Sequence, residues 1–168
     1  QVAHSLSWLR AFFVYRSLDI TRTFMVDDYL HKGDIVIIGT DASPYRMGGW
    51  LMMNGEIRAF FSCEVSSDDE EIFGTKRGAH LGQQTWEFLA LLISIRLWLS
   101  GDNATSGKHL LDKRIQLTVK GDTVGSLTLA LKLRPKSPKM AIIAREIALL
   151  LARLSFPPKS VHTPGVAH

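Results

Sequence analysis

TDASPYRMGGWLMMNGEIRAFF, residues 40–61, follows the apolar run Ile35-Val36-Ile37-Ile38 after a single glycine, Gly39. A short apolar run that is rich in β-branched residues and closes on turn-forming residues reads as a buried strand, here one ending in Asp41. Gly48-Gly49 opens a second apolar run, Trp50 to Met53. Asn54-Gly55 is a tight-turn pair, because both residues tolerate positive φ, and Ile57 to Phe61 runs back out. Three strands, roughly 35–41, 48–54 and 56–62, are therefore expected to pair in chain order, with a carboxylate at the end of the first. Such a carboxylate is well placed to hold a divalent metal at the rim of a sheet. A turn aspartate at a strand exit accounts for Asp41 equally well when it is taken alone.

Working outward from this hairpin, the chain alternates between strand and helix patterns. Residues 5–30 read as one or two amphipathic helices, with Trp8, Leu9, Phe12, Phe13 and Tyr15 on the apolar face. Residues 63–84 form a long polar connection with a capping-box pattern at Ser67-Asp68-Asp69-Glu70. Thr85 to Ser100 is apolar nearly all round, which predicts a buried helix. Ile115, Leu117 and Val119 alternate with Gln116, Thr118 and Lys120, the pattern of a half-exposed strand. Gly121-Asp122-Thr123 turns into a short helix over 124–133. Ser137-Pro138 places a cap and a first-turn proline before a helix over 140–154. Pro157-Pro158 ends that helix, and Lys159 to His162 reads as the last strand. The order β-β-β-α-β-α-α-β predicts an α/β layer structure, a meander followed by crossover units.

Composition narrows the function classes. The chain has 168 residues, 46% of them hydrophobic, enough for one domain with a full core. A single cysteine, Cys63, excludes a disulfide framework and a cysteine zinc cluster. It fits a reducing compartment, so an intracellular location, cytoplasm or nucleus, is expected. No stretch is long and apolar enough to span a membrane. The net charge of +4 is uneven: residues 1–107 hold 9 basic and 13 acidic residues, and residues 108–168 hold 11 and 3. Lys132, Arg134, Lys136 and Lys139 cluster around two prolines, either as a phosphate-contacting loop or as a solvated one. The asymmetry favours a polyanionic partner.

Three carboxylates stand out by position: Asp41 at the end of the first strand, Glu87 in the first turns of a buried helix, and Asp122 just after the fourth strand. Each has an ordinary reading: a turn residue for Asp41, a charge favoured by the helix dipole for Glu87, and a helix cap for Asp122. Together, on three elements that must adjoin in one layer, they are better explained as an oxygen-only metal site.

The pattern resembles the ribonuclease H domain of retroelement polyproteins. The matching pieces are Thr40-Asp41-Ala42-Ser43 with Gly48-Gly49-Trp50, Trp86-Glu87-Phe88-Leu89-Ala90-Leu91, Lys120-Gly121-Asp122-Thr123, and Val161-His162-Thr163-Pro164-Gly165. The resemblance covers residues 34–168 and implies a five-stranded mixed sheet, order 3-2-1-4-5, flanked by helices. Residues 1–33 resemble the helical connection after the polymerase part of such polyproteins, which implies a polymerase domain on the N-terminal side. It also implies cleavage of the RNA strand of an RNA–DNA hybrid with two magnesium ions, or manganese in their place. By this match Asp41 would bridge both metals, and Glu87 and Asp122 would complete the site nearer the leaving group. Ser43, Lys132, Arg134, Lys136 and Lys139 are the candidate nucleic-acid contacts. His162 reads as structural, or as a proton shuttle. His168 stands where many relatives have asparagine. The family carries a fourth carboxylate at the start of a C-terminal helix, beyond the point where this sequence stops at His168. A catalytically inactive module that binds nucleic acid, or serves as a scaffold, is therefore the alternative expectation. A third is another enzyme on a similar sheet, of integrase or exonuclease type, which needs a different carboxylate spacing.

Overall fold

A computed structural model of the protein describes residues 33–100, 115–121, 138–152, 154 and 158–162, with helical positions 3, 6, 7, 9, 10 and 14 near the N-terminus. The strands are β1 (Asp34–Ala42), β2 (Arg46–Met53), β3 (Glu56–Glu64), β4 (Ile115–Gly121) and β5 (Lys159–His162). The helices are α1 (Ser67–Phe73), α2 (Gln83–Ile95) and α3 (Pro138–Leu151). The five strands form one sheet in the order β3-β2-β1-β4-β5. β1 pairs antiparallel with β2 and parallel with β4, and β5 lies parallel to β4. The order expected from the resemblance is the order found. The helix expected over 124–133 lies outside the described residues, as do Trp8, Phe12, Phe13 and Tyr15.

The hairpin forms for the reasons legible in its residues, and tertiary bonds reinforce it. Asn54 has φ 50° and Gly55 φ 91°, the two positive values that a tight β2–β3 turn needs. Asn54 does more than turn the chain. Its Oδ1 accepts from the Ile35 amide at 2.9 Å, and its Nδ2 donates to Asp34 Oδ1 at 3.1 Å. The turn is thereby fastened to the start of β1. The β2–β3 register slips by one residue between Leu51 and Met52, a bulge that the alternation of side chains did not announce.

The core lies between one face of the sheet and the helix pair α2–α3. Val36 and Ile38 of β1, Leu51 of β2, and Ile115, Leu117 and Val119 of β4 are buried there. They meet Trp86, Phe88, Leu91 and Ile95 of α2 and Ile143 and Ile147 of α3. β4 alternates buried and half-buried along its length, as its sequence predicts. α2 starts two residues earlier than its apolar pattern does, and its last turn widens into a π-turn over Arg96–Ser100. α3 begins at Pro138, where a missing amide costs nothing, and stops at Leu151 rather than 154. An Arg96–Glu146 ion pair of 2.7 Å ties α2 to α3 at the surface.

The capping box is real but sits one residue earlier than expected. Ser66 is the cap of α1: its Oγ accepts from the Asp69 amide, and the Asp69 carboxylate accepts from the Ser66 amide at 2.9 Å. Ser66 and Ser67 are adjacent and chemically alike. Which one caps is decided by where the chain leaves β3, and that is a tertiary matter.

Candidate functional site

Asp41 lies at the C-terminal end of the central strand, opposite Gly48 of β2, and is exposed. Strand alternation turns its side chain away from the core side, where Val36, Ile38 and Ala42 are buried. The chain then reverses through Ser43-Pro44-Tyr45. Ser43 Oγ accepts from the amides of Tyr45 (3.2 Å) and Arg46 (3.0 Å), and the Ser43 amide donates to Arg46 O at 2.8 Å. The hydroxyl proposed for nucleic-acid contact is thus also the one that shapes this turn.

Glu87 comes from the second turn of α2. Gln83 Nε2, one turn earlier, donates to the Ala42 carbonyl at 3.2 Å. That bond fixes the start of α2 against the end of β1, next to Asp41. Residues four apart share a helix face and lean toward the N-terminus, so Glu87 stands on the Gln83 side of the helix. Glu87 is half-buried and has interactions of its own, and its Oε2 is enclosed by protein with no donor on it. The other end of α2 approaches β2 closely because Gly49 is bare. A Cβ there would stand 2.9 Å from Ser94 Oγ and 2.8 Å from the Phe61 ring.

The connection before α2 is latched onto the same end of the sheet. Glu64, at the end of β3, accepts from Arg46 at 2.7 Å and from Arg77 at 3.1 Å. These guanidinium groups hold its carboxyl below the ordinary carboxylate range, the hydrogen bond from Arg46 contributing most. The Arg77 guanidinium also lies over the Tyr45 ring, 5.9 Å from its centre, and the Arg77 amide donates to the Glu70 carboxylate. Gly78, at φ 83°, donates to the Pro44 carbonyl at 2.9 Å. No local signal in the sequence marked Glu64, Arg77 or Gln83, because their partners are distant in the chain. Cys63 is a different case: burial, aided by the Asp69 charge, pushes its thiol up from the ordinary value.

Of the sequence-derived candidates, Asp41 and Glu87 are thus described at the same end of β1. Asp122, the residue after β4, lies outside the described residues, and so do Lys132, Arg134, Lys136 and His168. Lys139 and His162 are described only by their backbone, in the first turn of α3 and at the end of β5. The donors that Asp41 and Glu87 offer are carboxylate oxygens, the type that suits a hard divalent cation such as magnesium or manganese.

A central strand with a strand-end carboxylate, in a mixed sheet of order 3-2-1-4-5 covered by two helices, is the ribonuclease H-like fold. Solved structures bear this out. The chain is similar to the ribonuclease H1 of the halophilic archaeon Halobacterium salinarum NRC-1, with a TM-score of 0.53 and 16% identity over 77% of this chain and 86% of that one. It is also similar to LC11-RNase H1, isolated from compost by a metagenomic approach, with a TM-score of 0.50 and 16% identity over 80% and 86% of the two chains. No protein-family profile matches the sequence, and no curated protein matches it significantly. The likeness is therefore one of fold, carried by topology at low identity.

Proposed function

We propose that the protein is a metal-dependent endonuclease of ribonuclease H type that hydrolyses the RNA strand of RNA–DNA hybrids. In this reading it is the ribonuclease H part of a retroelement reverse transcriptase, with a polymerase domain on its N-terminal side. One observation carries the reading: the exposed end of the central strand of a ribonuclease H-like sheet bears Asp41. Glu87 supports it, since its helix is fastened to the next residue's carbonyl. Two divalent cations, when bound, would supply an activated water and stabilise the leaving oxygen of the phosphodiester. The chain's part is to hold them with fixed carboxylates. Asp41 is rigid because β1 is paired on both sides, and Glu87 because Gln83 pins the start of α2. Asp122, immediately after β4, is the third ligand in this reading. Lys132, Arg134, Lys136 and Lys139 would contact phosphates, a sequence-independent affinity that falls with salt.

The test is magnesium-dependent cleavage of a labelled RNA–DNA hybrid by a protein extended past His168 to carry the fourth carboxylate that the resemblance implies, and by its Asp41→Asn variant. The substitution keeps size and shape but removes the charge, so cleavage should be abolished while the circular dichroism spectrum is unchanged. A folded protein that carries the family's fourth carboxylate, binds hybrid and never cuts it, with magnesium or manganese, would overturn the enzyme reading in favour of a binding or scaffold module.

A further inference from the structure

Asp41 and Glu87 stand on separate elements, so their spacing depends on what joins the end of β1 to the start of α2. The residues that follow Asp41 are bonded, almost one by one, to the single segment 64–83. Gln83 Nε2 donates to the Ala42 carbonyl at 3.2 Å. The Gly78 amide donates to the Pro44 carbonyl and the Val65 amide to the Tyr45 carbonyl, each at 2.9 Å. Arg46 pairs with Glu64 at 2.7 Å. The segment is thus a strap across the turn, and its last residue, Gln83, is the first residue of the helix that carries Glu87. The ion pair is exposed and adds little. The bonds to backbone carbonyls hold the strap, because those carbonyls cannot rotate away as a side chain can. Gly78 makes its close approach possible: its φ is 83°, and a Cβ there would stand 3.0 Å from the Tyr45 hydroxyl oxygen.

What such a strap can decide is which cation fits. Magnesium holds its oxygens at about 2.0–2.1 Å in near-ideal octahedral geometry, whereas calcium accepts about 2.3–2.6 Å and irregular geometry. Two carboxylates whose elements drift relative to each other keep calcium and lose magnesium. Glu87 is poorly able to compensate for such a drift. Its Oε2 is enclosed by protein, so a shift of α2 carries the carboxylate with it instead of being absorbed by a swing through solvent.

We propose that Gln83 and Gly78 are positioning residues that set the spacing of Asp41 and Glu87 so as to favour magnesium over a larger divalent cation such as calcium. The proposal rests on the reading of Asp41 and Glu87 as metal ligands and extends it to residues that act on the site only through the backbone. The measurement is metal binding to the full chain, with no cleavage step. Free manganese is followed by its electron paramagnetic resonance signal, and magnesium and calcium are titrated in as competitors. Gln83→Met keeps the methylenes and the bulk but has no donor for the Ala42 carbonyl. It should weaken magnesium by about ten- to a hundredfold, the range for a lost outer partner of a metal ligand. Calcium should weaken by less than about threefold, because its shell tolerates irregular geometry. Gly78→Ala should lower the ratio of magnesium to calcium affinity in the same direction. Arg58→Gln breaks the exposed Arg58–Glu56 pair beside the β2–β3 turn and should leave the ratio unchanged. Circular dichroism checks the folding of each variant. An unchanged ratio in Gln83→Met, or in Gly78→Ala should Gln83→Met fail to fold, overturns the proposal. An equal loss of both cations overturns it too, and makes the strap a structural element only. A chain whose manganese binding is absent, or is untouched by Asp41→Asn, sinks the metal reading and the positioning together. Manganese that is lost in Asp41→Asn, with the ratio unmoved by the strap variants, sinks the positioning alone.

Discussion

Gly39→Ala should destabilise the protein through one side chain, the Trp50 indole. The backbone at Gly39 is ordinary strand, so alanine meets no torsional penalty there. What it meets is space: the new Cβ would stand 2.1 to 2.5 Å from three indole atoms, where carbon contacts settle near about 3.5 to 4.0 Å. The ring must lift by about 1.5 Å or swing off the strand. A tryptophan buries about 150–250 Å². Losing contact over about 100 Å² costs about 2.5 kcal/mol at about 25 cal/mol per Å². Alanine's smaller unfolded-state entropy gives back at most about 1 kcal/mol. The net expectation is a loss of about 2 kcal/mol, or about 4–8 °C in Tm for a chain of this size. Urea unfolding followed by circular dichroism measures it, and a double-mutant cycle attributes it. With Trp50 already replaced by alanine, Gly39→Ala should be neutral or slightly stabilising. Equal costs in both backgrounds, to within about 0.5 kcal/mol, would refute the idea that the tryptophan needs bare backbone beneath it.

Other expectations follow from single contacts. In α3, Ile147 is fully buried and Ile142 is 52% exposed, so Ile147→Ala should cost about 2–5 kcal/mol in urea unfolding and Ile142→Ala under about 0.5. Ser66→Ala should release the start of α1, a loss of about 1 kcal/mol seen as faster amide exchange over 67–73, while Ser67→Ala should leave exchange unchanged. The Glu64 carboxyl is held low by Arg46 and Arg77, so its small surface contribution to stability is complete above its unfolded value of about 4.3. That contribution fades as pH falls through the lower folded value. Glu64→Gln should therefore remove part of the stability difference between neutral and acid pH, and remove less of it in high salt.

Much of the fold and some of the candidate site can be read from neighbouring residues. The hairpin turn is written in Asn54-Gly55, whose side chains and backbone freedom leave few other conformations. The alternation in Ile115 to Val119 states which side of β4 is buried. Asp41 could be placed at a strand end because a four-residue apolar run stops just before it, and Glu87 on a helix because apolar residues surround it. The physical reason is the same throughout: turn torsions, strand alternation and helix periodicity are set by residues at most a few positions apart.

Tertiary structure decided what depends on partners far apart in the chain. Ser66 rather than Ser67 caps α1 because β3 delivers the chain there. The one-residue slip at Leu51/Met52 arises only where two strands meet. Gln83 is an unremarkable amide until the fold brings it under the Ala42 carbonyl, 41 residues away, and so sets Glu87's helix beside Asp41. Glu64 and Arg77 look like scattered surface charges until they latch the turn after β1 to the connection before α2. Gly39 and Trp50 are each legible as strand residues, yet only their pairing lays the ring flat. By itself, then, the amino-acid sequence determined the elements and the residue types offered at their ends. Which ends meet, and which side chains rest on one another, was decided by chain closure over tens of residues, and no local pattern encodes that.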